Sequence, residues 1–198
     1  MVLIFYARYD RILFGEFETF LTQRYARKNK TTGEKMRTTT KSTVRLVRAG
    51  LIAALYVALT YLASAIGLAS GVIQFRLSEM LCILPIFLPE AIPALTVGCL
   101  LSNILTACLP LDVVFGTLAT LLGALGAYAL RRVRFSWVAT LPTVISNSLI
   151  IPLVLMYVYQ AEGSYLFFVL TVGIGEIVCA TVLGSVLGEA IKKTGILK

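Results

Sequence analysis

Few residues in this chain can do chemistry, and most of them stand alone in apolar sequence. From Ala49 to Leu130 the only charged residues are Arg76, Glu79, Glu90 and Asp112; from Phe135 to Ile191 they are Glu162, Glu176 and Glu189. A charged or amide side chain in hydrocarbon is costly, so those that persist pair with each other, line a cavity or meet a ligand. Arg76 and Glu79 stand three residues apart in Gln74-Phe75-Arg76-Leu77-Ser78-Glu79, a spacing that suits a surface ion pair as well as a shared ligand. Asp112 opens an apolar helix, where a carboxylate is either a helix N-terminal anchor or a ligand contact. Glu176 lies inside an apolar helix with no cation near it in sequence, so its partner is either a ligand or Arg76. Asn103 and Asn147 suit ligand recognition or interhelical hydrogen bonding.

Other chemistries are excluded by what the sequence lacks. It has no histidine, the commonest catalytic base and metal ligand. Cys82, Cys99, Cys108 and Cys179 lie in apolar segments without metal-ligand spacing, and are expected to be small core residues. No phosphate-cradling Gly-x-x-x-x-Gly-Lys-Ser/Thr loop occurs. No enzyme, cofactor or metal site is therefore expected. The net charge of +8 does not indicate nucleic acid, because the basic residues fall in three blocks that flank apolar spans: the first 48 residues, Arg131–Arg134 and Lys192–Lys198. Such blocks set membrane orientation.

The elements that must position these side chains are membrane helices, for only 14% of the chain is charged, against roughly 25% in soluble domains. The spans are expected at about 45–68, 77–88, 91–109, 113–130, 137–159 and 165–191, giving an all-α bundle of about six transmembrane helices. The second is short and broken by Pro85 and Pro89, against the roughly 20 residues a spanning helix needs. With an even number of spans all three basic blocks share the cytoplasmic side of the cell membrane, and the loops at 67–78, 109–112 and 160–164 share the outer side. Residues 1–43 form a basic cytoplasmic extension, residues 44–191 the membrane domain, and residues 192–198 a basic tail. The Met36 run just ahead of the first span would make a natural start, so residues 1–35 are either a disordered tail or an upstream translation artefact.

Small residues form helical stripes that let helices pack closely: Gly116, Thr120, Gly123 and Ala127; Gly173, Glu176, Ala180 and Gly184; and, in the first span, Ala49, Ala53, Ala54 and Ala58 with Gly50. The last stripe serves either internal packing or a partner helix. From these residues alone three readings stand: a binding subunit whose ATP is hydrolysed by another chain, an ion-coupled carrier working through its own carboxylates, and a membrane scaffold with no ligand. The carrier reading expects paired broken helices in two repeated halves, and no such halves are apparent.

The run Gly71-Val72-Ile73-Gln74-Phe75-Arg76-Leu77-Ser78-Glu79, followed by Leu84-Pro85, Gly98-x-x-x-x-Asn103, Asp112-x-x-Phe115-Gly116-Thr117-Leu118-Ala119-Thr120-Leu121 and Val172-Gly173-Ile174-Gly175-Glu176, resembles the QueT family. The resemblance covers about residues 44–191. It implies a substrate-specific (S) component of an energy-coupling factor (ECF) ABC importer that captures a queuosine precursor, a deazaguanine base, in a pocket in the outer half. It also implies partners: a membrane coupling subunit docked on Ala49, Ala53, Ala54 and Ala58, and two ATPase subunits that bind ATP and Mg. Under this resemblance the expected substrate contacts are Arg76, Glu79, Asn103, Asp112, Asn147 and Glu176, with Phe75 or Phe115 stacking on the ring. A carboxylate suits the adjacent N–H donors of a guanine-like edge, an amide the neighbouring carbonyl, and a second acid an aminomethyl substituent.

Overall fold

The computed structural model describes residues 33–68 and 74–195, and among them every regular element is a helix. In chain order these are α1 (Gly33–Ala65), a 3-10 helix (Leu77–Ile86), α2 (Ala91–Leu105), α3 (Pro110–Ala129), α4 (Ser136–Tyr157), α5 (Tyr165–Glu176), a π-helical segment (Ile177–Leu183) and α6 (Gly184–Thr194). The last three run on without a break. Four stretches are long and apolar enough to cross a membrane: Ser42–Ala65, Pro110–Ala129, Ser136–Tyr157 and Tyr165–Thr194. Leu77–Ile86 and Ala91–Leu105 are apolar but shorter. Leucines and aromatics such as Leu62, Leu118, Leu149 and Leu170 are exposed around the bundle, as a lipid-facing surface requires. The chain is an all-α membrane protein.

Local sequence explains where the elements stop. Past α1 the chain turns on Gly67, whose φ of 75° is the left-handed conformation that glycine tolerates, and Leu68 N–H caps back to Ala63 C=O at 2.9 Å. The short second element is 3-10 rather than α: Glu79 N–H bonds Arg76 C=O at 2.9 Å, and Pro85 inside it has no N–H to give. Leu109 is extended and Pro110 begins α3, where its missing N–H costs nothing. α2 ends at Leu105, four residues before the expected boundary, because Ala107 turns with φ 56° and Cys108 N–H returns to Asn103 C=O at 3.0 Å. That tight turn places Asn103, Cys108 and Asp112 side by side.

The core is built where small residues admit neighbours. Gly98 on α2 faces Ala53 and Tyr56 of α1; a Cβ there would stand 2.9 Å from Tyr56 Cβ and 3.1 Å from Ala53 O. The first-span stripe is thereby divided. Ala49 and Ala53 are half-buried toward the bundle, whereas Gly50, Ala54 and Ala58 are exposed along one ridge. At one end of the bundle Arg48 Nη1 lies 4.0 Å from Glu90 Oε1. Near the carboxyl end of α6, Lys192 Nζ donates to both Ser136 Oγ (2.7 Å) and Glu189 Oε1 (2.9 Å), fastening the start of α4. This is the end that carries Arg131–Arg134. Residues 1–32, 69–73 and 196–198, on which the tail and part of the loop motif fall, lie outside the described residues; Met36 falls within α1.

Candidate functional site

At the opposite end of the bundle from the basic residues there is a cavity of about 320 Å³, at the small end of ligand pockets, which run to roughly 300–1,000 Å³. Its wall is drawn from every side. Tyr56, Thr60, Ala63 and Ser64 come from α1, Gln74, Phe75, Arg76 and Ser78 from the strap before and into the 3-10 helix, and Ser102, Asn103, Thr106, Cys108 and Asp112 from the α2–α3 corner. Ile151, Val154, Leu155 and Tyr159 close it from α4 and the residues just past it.

The polar corner of this cavity is made by Gly116. A Cβ at that position would stand 3.0 Å from Asn103 Nδ2, 3.6 Å from Asp112 Oδ1 and 3.9 Å from Arg76 Nη1, so the glycine leaves the space that three polar side chains surround. Asp112 is only 5% exposed. Its Oδ2 accepts from the Tyr159 hydroxyl at 2.8 Å, while its Oδ1 has no donor. The Tyr159 oxygen in turn accepts from Leu109 N–H at 3.3 Å. Burial and the bond to Asp112 hold the Tyr159 phenol above its ordinary range. A raised phenol keeps its proton at neutral pH, so the bond to Asp112 is intact there and yields only in strong alkali.

Glu79 lies beneath the cavity and not in its wall. It is fully buried, and three donors saturate it: Tyr56 OH at 2.6 Å to Oε1, Thr120 Oγ1 at 3.4 Å to the same oxygen, and Cys82 Sγ at 3.0 Å to Oε2. Thr60 Oγ1 donates to Ser78 Oγ at 2.8 Å, tying the same strap to α1. The arrangement makes Glu79 a clamp between α1, the 3-10 helix and α3. The i, i+3 ion pair with Arg76 does not form.

Glu176 and Asn147 meet on facing helices further into the bundle. Both are buried, and the Asn147 amide, though it faces Glu176, makes no hydrogen bond of good geometry through either atom. Glu176 Oε2 is also unpaired, as is Ser148 Oγ, which stands 3.3 Å from the Cβ position of Gly173 one turn before Glu176. Asn147 is one turn below Ile151, a cavity residue. The ladder leaves α geometry directly after Glu176, in the π-helical stretch Ile177–Leu183, a distortion common at functional sites. Buried polar groups in native proteins are nearly always bonded, so the unpaired atoms are notable: Asp112 Oδ1 in the cavity wall, Asn147, Ser148 Oγ and Glu176 Oε2 below it, and Thr143 Oγ1 and Ser185 Oγ elsewhere in the bundle.

Among the expected contacts, Phe75, Arg76, Asn103 and Asp112 line the cavity, Glu79 supports it, and Asn147 and Glu176 lie below it. Phe115 is not in the wall. It is 41% exposed on the outside of α3, because the inward stripe of that helix runs through Asp112, Gly116, Ala119, Thr120 and Gly123. Tyr56, Tyr159 and Ser102 belong to the site and were not anticipated from sequence; a tyrosine near a helix end resembles an ordinary interfacial anchor. Cys108 is also in the wall and only part-buried, unlike Cys82, Cys99 and Cys179. A small maleimide is therefore expected to label Cys108 before the other three cysteines, and a cavity ligand to slow that labelling; mass spectrometry of the modified peptides checks both. No group of three His, Cys, Asp or Glu suited to a metal ion occurs among the described residues.

A family described as QueT transporter matches residues 46–193. The chain is also similar to the protein named Queuosine precursor transporter QueT of Lactococcus lactis subsp. cremoris, 42% identical over 79 residues, a stretch covering 40% of this chain and 46% of that protein. The match thus spans about half the length of that relative. No solved structure matches the chain.

Proposed function

The chain belongs to the QueT transporter family, and on that premise we propose that it is the substrate-binding subunit of an ECF-type ABC importer that captures a queuosine precursor, a deazaguanine base. The observation that carries this reading is the line of unpaired buried polar atoms, Asp112 Oδ1 in the cavity wall and Asn147 with Glu176 Oε2 beneath it. Their types suit the base. A guanine-like edge offers two adjacent N–H donors to a carboxylate and a carbonyl to an amide N–H; Glu176 and Asn147 supply that pair, and Phe75 offers a ring face in the wall above. The relative's name points to the same cargo.

Uptake against a gradient needs energy, and the sequence has no nucleotide-binding loop of its own. ATP and Mg accordingly belong to two partner ATPases that act through a membrane coupling subunit. Of the four alanines in the first-span stripe, Ala54 and Ala58 are exposed with Gly50 and fit a partner helix, whereas Ala49 and Ala53 pack inward. By the positive-inside rule the basic end faces the cytoplasm with both termini, and the cavity opens outward.

Isothermal titration of the purified chain in detergent tests the reading. Deazaguanine bases are expected to bind and adenine is not; a folded protein indifferent to every deazaguanine overturns it.

A further inference from the structure

We propose that the short loop between α3 and α4 is a binding site for the headgroup of an anionic phospholipid of the cytoplasmic leaflet, held by Arg131, Arg132 and Arg134. This loop lies at the opposite end of the bundle from the cavity, so its role is separate from that of the cargo site. Basic and apolar residues are interleaved here, in the run Arg131-Arg132-Val133-Arg134-Phe135-Ser136-Trp137. All three arginines are exposed, and so are Val133, Phe135 and Trp137 among them. None of the arginines has an acidic partner among the described residues, because the acids of this end are already taken. Glu90 stands by Arg48, and Glu189 accepts from Lys192 and Ser136. Arg131 is held in place without an acid: its guanidinium lies 4.1 Å from the centroid of the Tyr128 ring, and Nη1 donates to Tyr128 C=O at 3.2 Å.

The interleaving is what points to lipid. Tryptophan and other aromatic side chains settle at the boundary between headgroups and acyl chains, which fixes the depth of the loop, and at that depth an exposed arginine meets phosphates. A guanidinium takes a phosphate through two parallel hydrogen bonds, and basic residues beside the cytoplasmic ends of membrane helices favour anionic lipids. Apolar surface continues from the loop along both helices, through Leu122 and Leu125 of α3 and Leu141 and Ile145 of α4, all exposed. Acyl chains of a bound lipid have a place to lie there. An acidic protein segment would answer the arginines but leave Phe135 and Trp137 facing water. Arg45, exposed on α1 and equally without an acidic partner among the described residues, carries the same charge on a different helix and so reports diffuse attraction to the leaflet.

Trp137 is the only tryptophan in the chain, and its fluorescence therefore reports the lipid beside the loop. The full chain is reconstituted in phosphatidylcholine bilayers containing a minority of phosphatidylglycerol, with bromine on the acyl chains of one lipid or the other, and the quenching of Trp137 is compared. The anionic lipid is expected to be enriched at the loop by at least about fivefold, the effect of one basic residue at an anionic surface. Arg132→Gln combined with Arg134→Gln, which leaves Arg131 on Tyr128, is expected to bring the enrichment below about twofold. Arg45→Gln is expected to preserve it, and inorganic phosphate at constant ionic strength is not expected to displace the lipid. Equal quenching by the two lipids in the native chain overturns the site and leaves the arginines to a soluble partner. Two further results overturn it as well: an equal loss in Arg45→Gln, which reduces the effect to diffuse charge, and displacement by phosphate, which makes the loop a free-anion site.

Discussion

Glu176→Gln is expected to weaken deazaguanine binding by about 100-fold, the upper range for hydrogen bonds to a charged group, while leaving the chain folded or slightly more stable. The two halves of that result follow from the same feature. Glu176 is buried in an apolar bundle with Oε2 unpaired, so in the empty protein the carboxylate is a cost. Glutamine has the same shape and no charge, and removing the charge relieves that cost. With a base present the balance reverses: the amide turns an N–H toward the base's own N–H donors, and one acceptor of the bidentate pair is lost. A structural acid behaves oppositely, since neutralising it lowers stability and leaves the cavity alone. Measuring the melting midpoint in detergent beside the titration separates the two cases; a lower midpoint with unchanged affinity sinks the ligand role of Glu176.

The contrast with Glu79 shows how much of the site was legible in the sequence. Both are acids in apolar surroundings, but in sequence Glu79 has Arg76 three residues before it and Glu176 has no cation near. In the fold one is saturated by Tyr56, Thr120 and Cys82 and the other keeps Oε2 unpaired. The difference is set by contacts between residues 23 and 41 positions apart, which no local pattern encodes. What the sequence did carry was the burial cost of each polar residue, and this alone brought Arg76, Asn103 and Asp112 to one cavity. The helical phase of α3 was also legible: Phe115 is three residues from Asp112 and one short of Gly116, which places it on the shoulder of the stripe, and its position in a recognisable motif outweighed that phase. Tyr159 and the π-helical turn after Glu176 were beyond reach. The first lies past the end of its helix, and the second is a register change that leaves no mark in residue type.

The apolar spans set the architecture, but the separation of the helices is set by a few positions without side chains, and there the second large effect is expected. Gly126→Leu should destabilise the bundle by about 3 kcal/mol, at the upper range for overpacking a filled interior, and should do so without any ligand. A Cβ at Gly126 would lie 2.3 Å from Pro142 Cβ and 2.7 Å from its Cγ. A pyrrolidine ring has no rotamer by which to retreat. One turn earlier Gly123 meets the Thr143 backbone, with the Cβ position 2.9 Å from Thr143 Cα, so the two glycines hold α3 and α4 in backbone-close contact along a common line. Close approach of this kind is a principal source of helix association in lipid, where apolar burial gives little preference for one helix over another. Forcing α3 away from α4 also moves Asp112 relative to Tyr159, because each is carried at or just past the far end of one of these helices. The variant should therefore lose both melting temperature and base affinity, whereas Gly195→Ala, which meets no neighbour within 4 Å and lies beyond the last helix, should keep its affinity. A Gly126→Leu protein with native melting temperature would show that the α3–α4 spacing does not hold the bundle together.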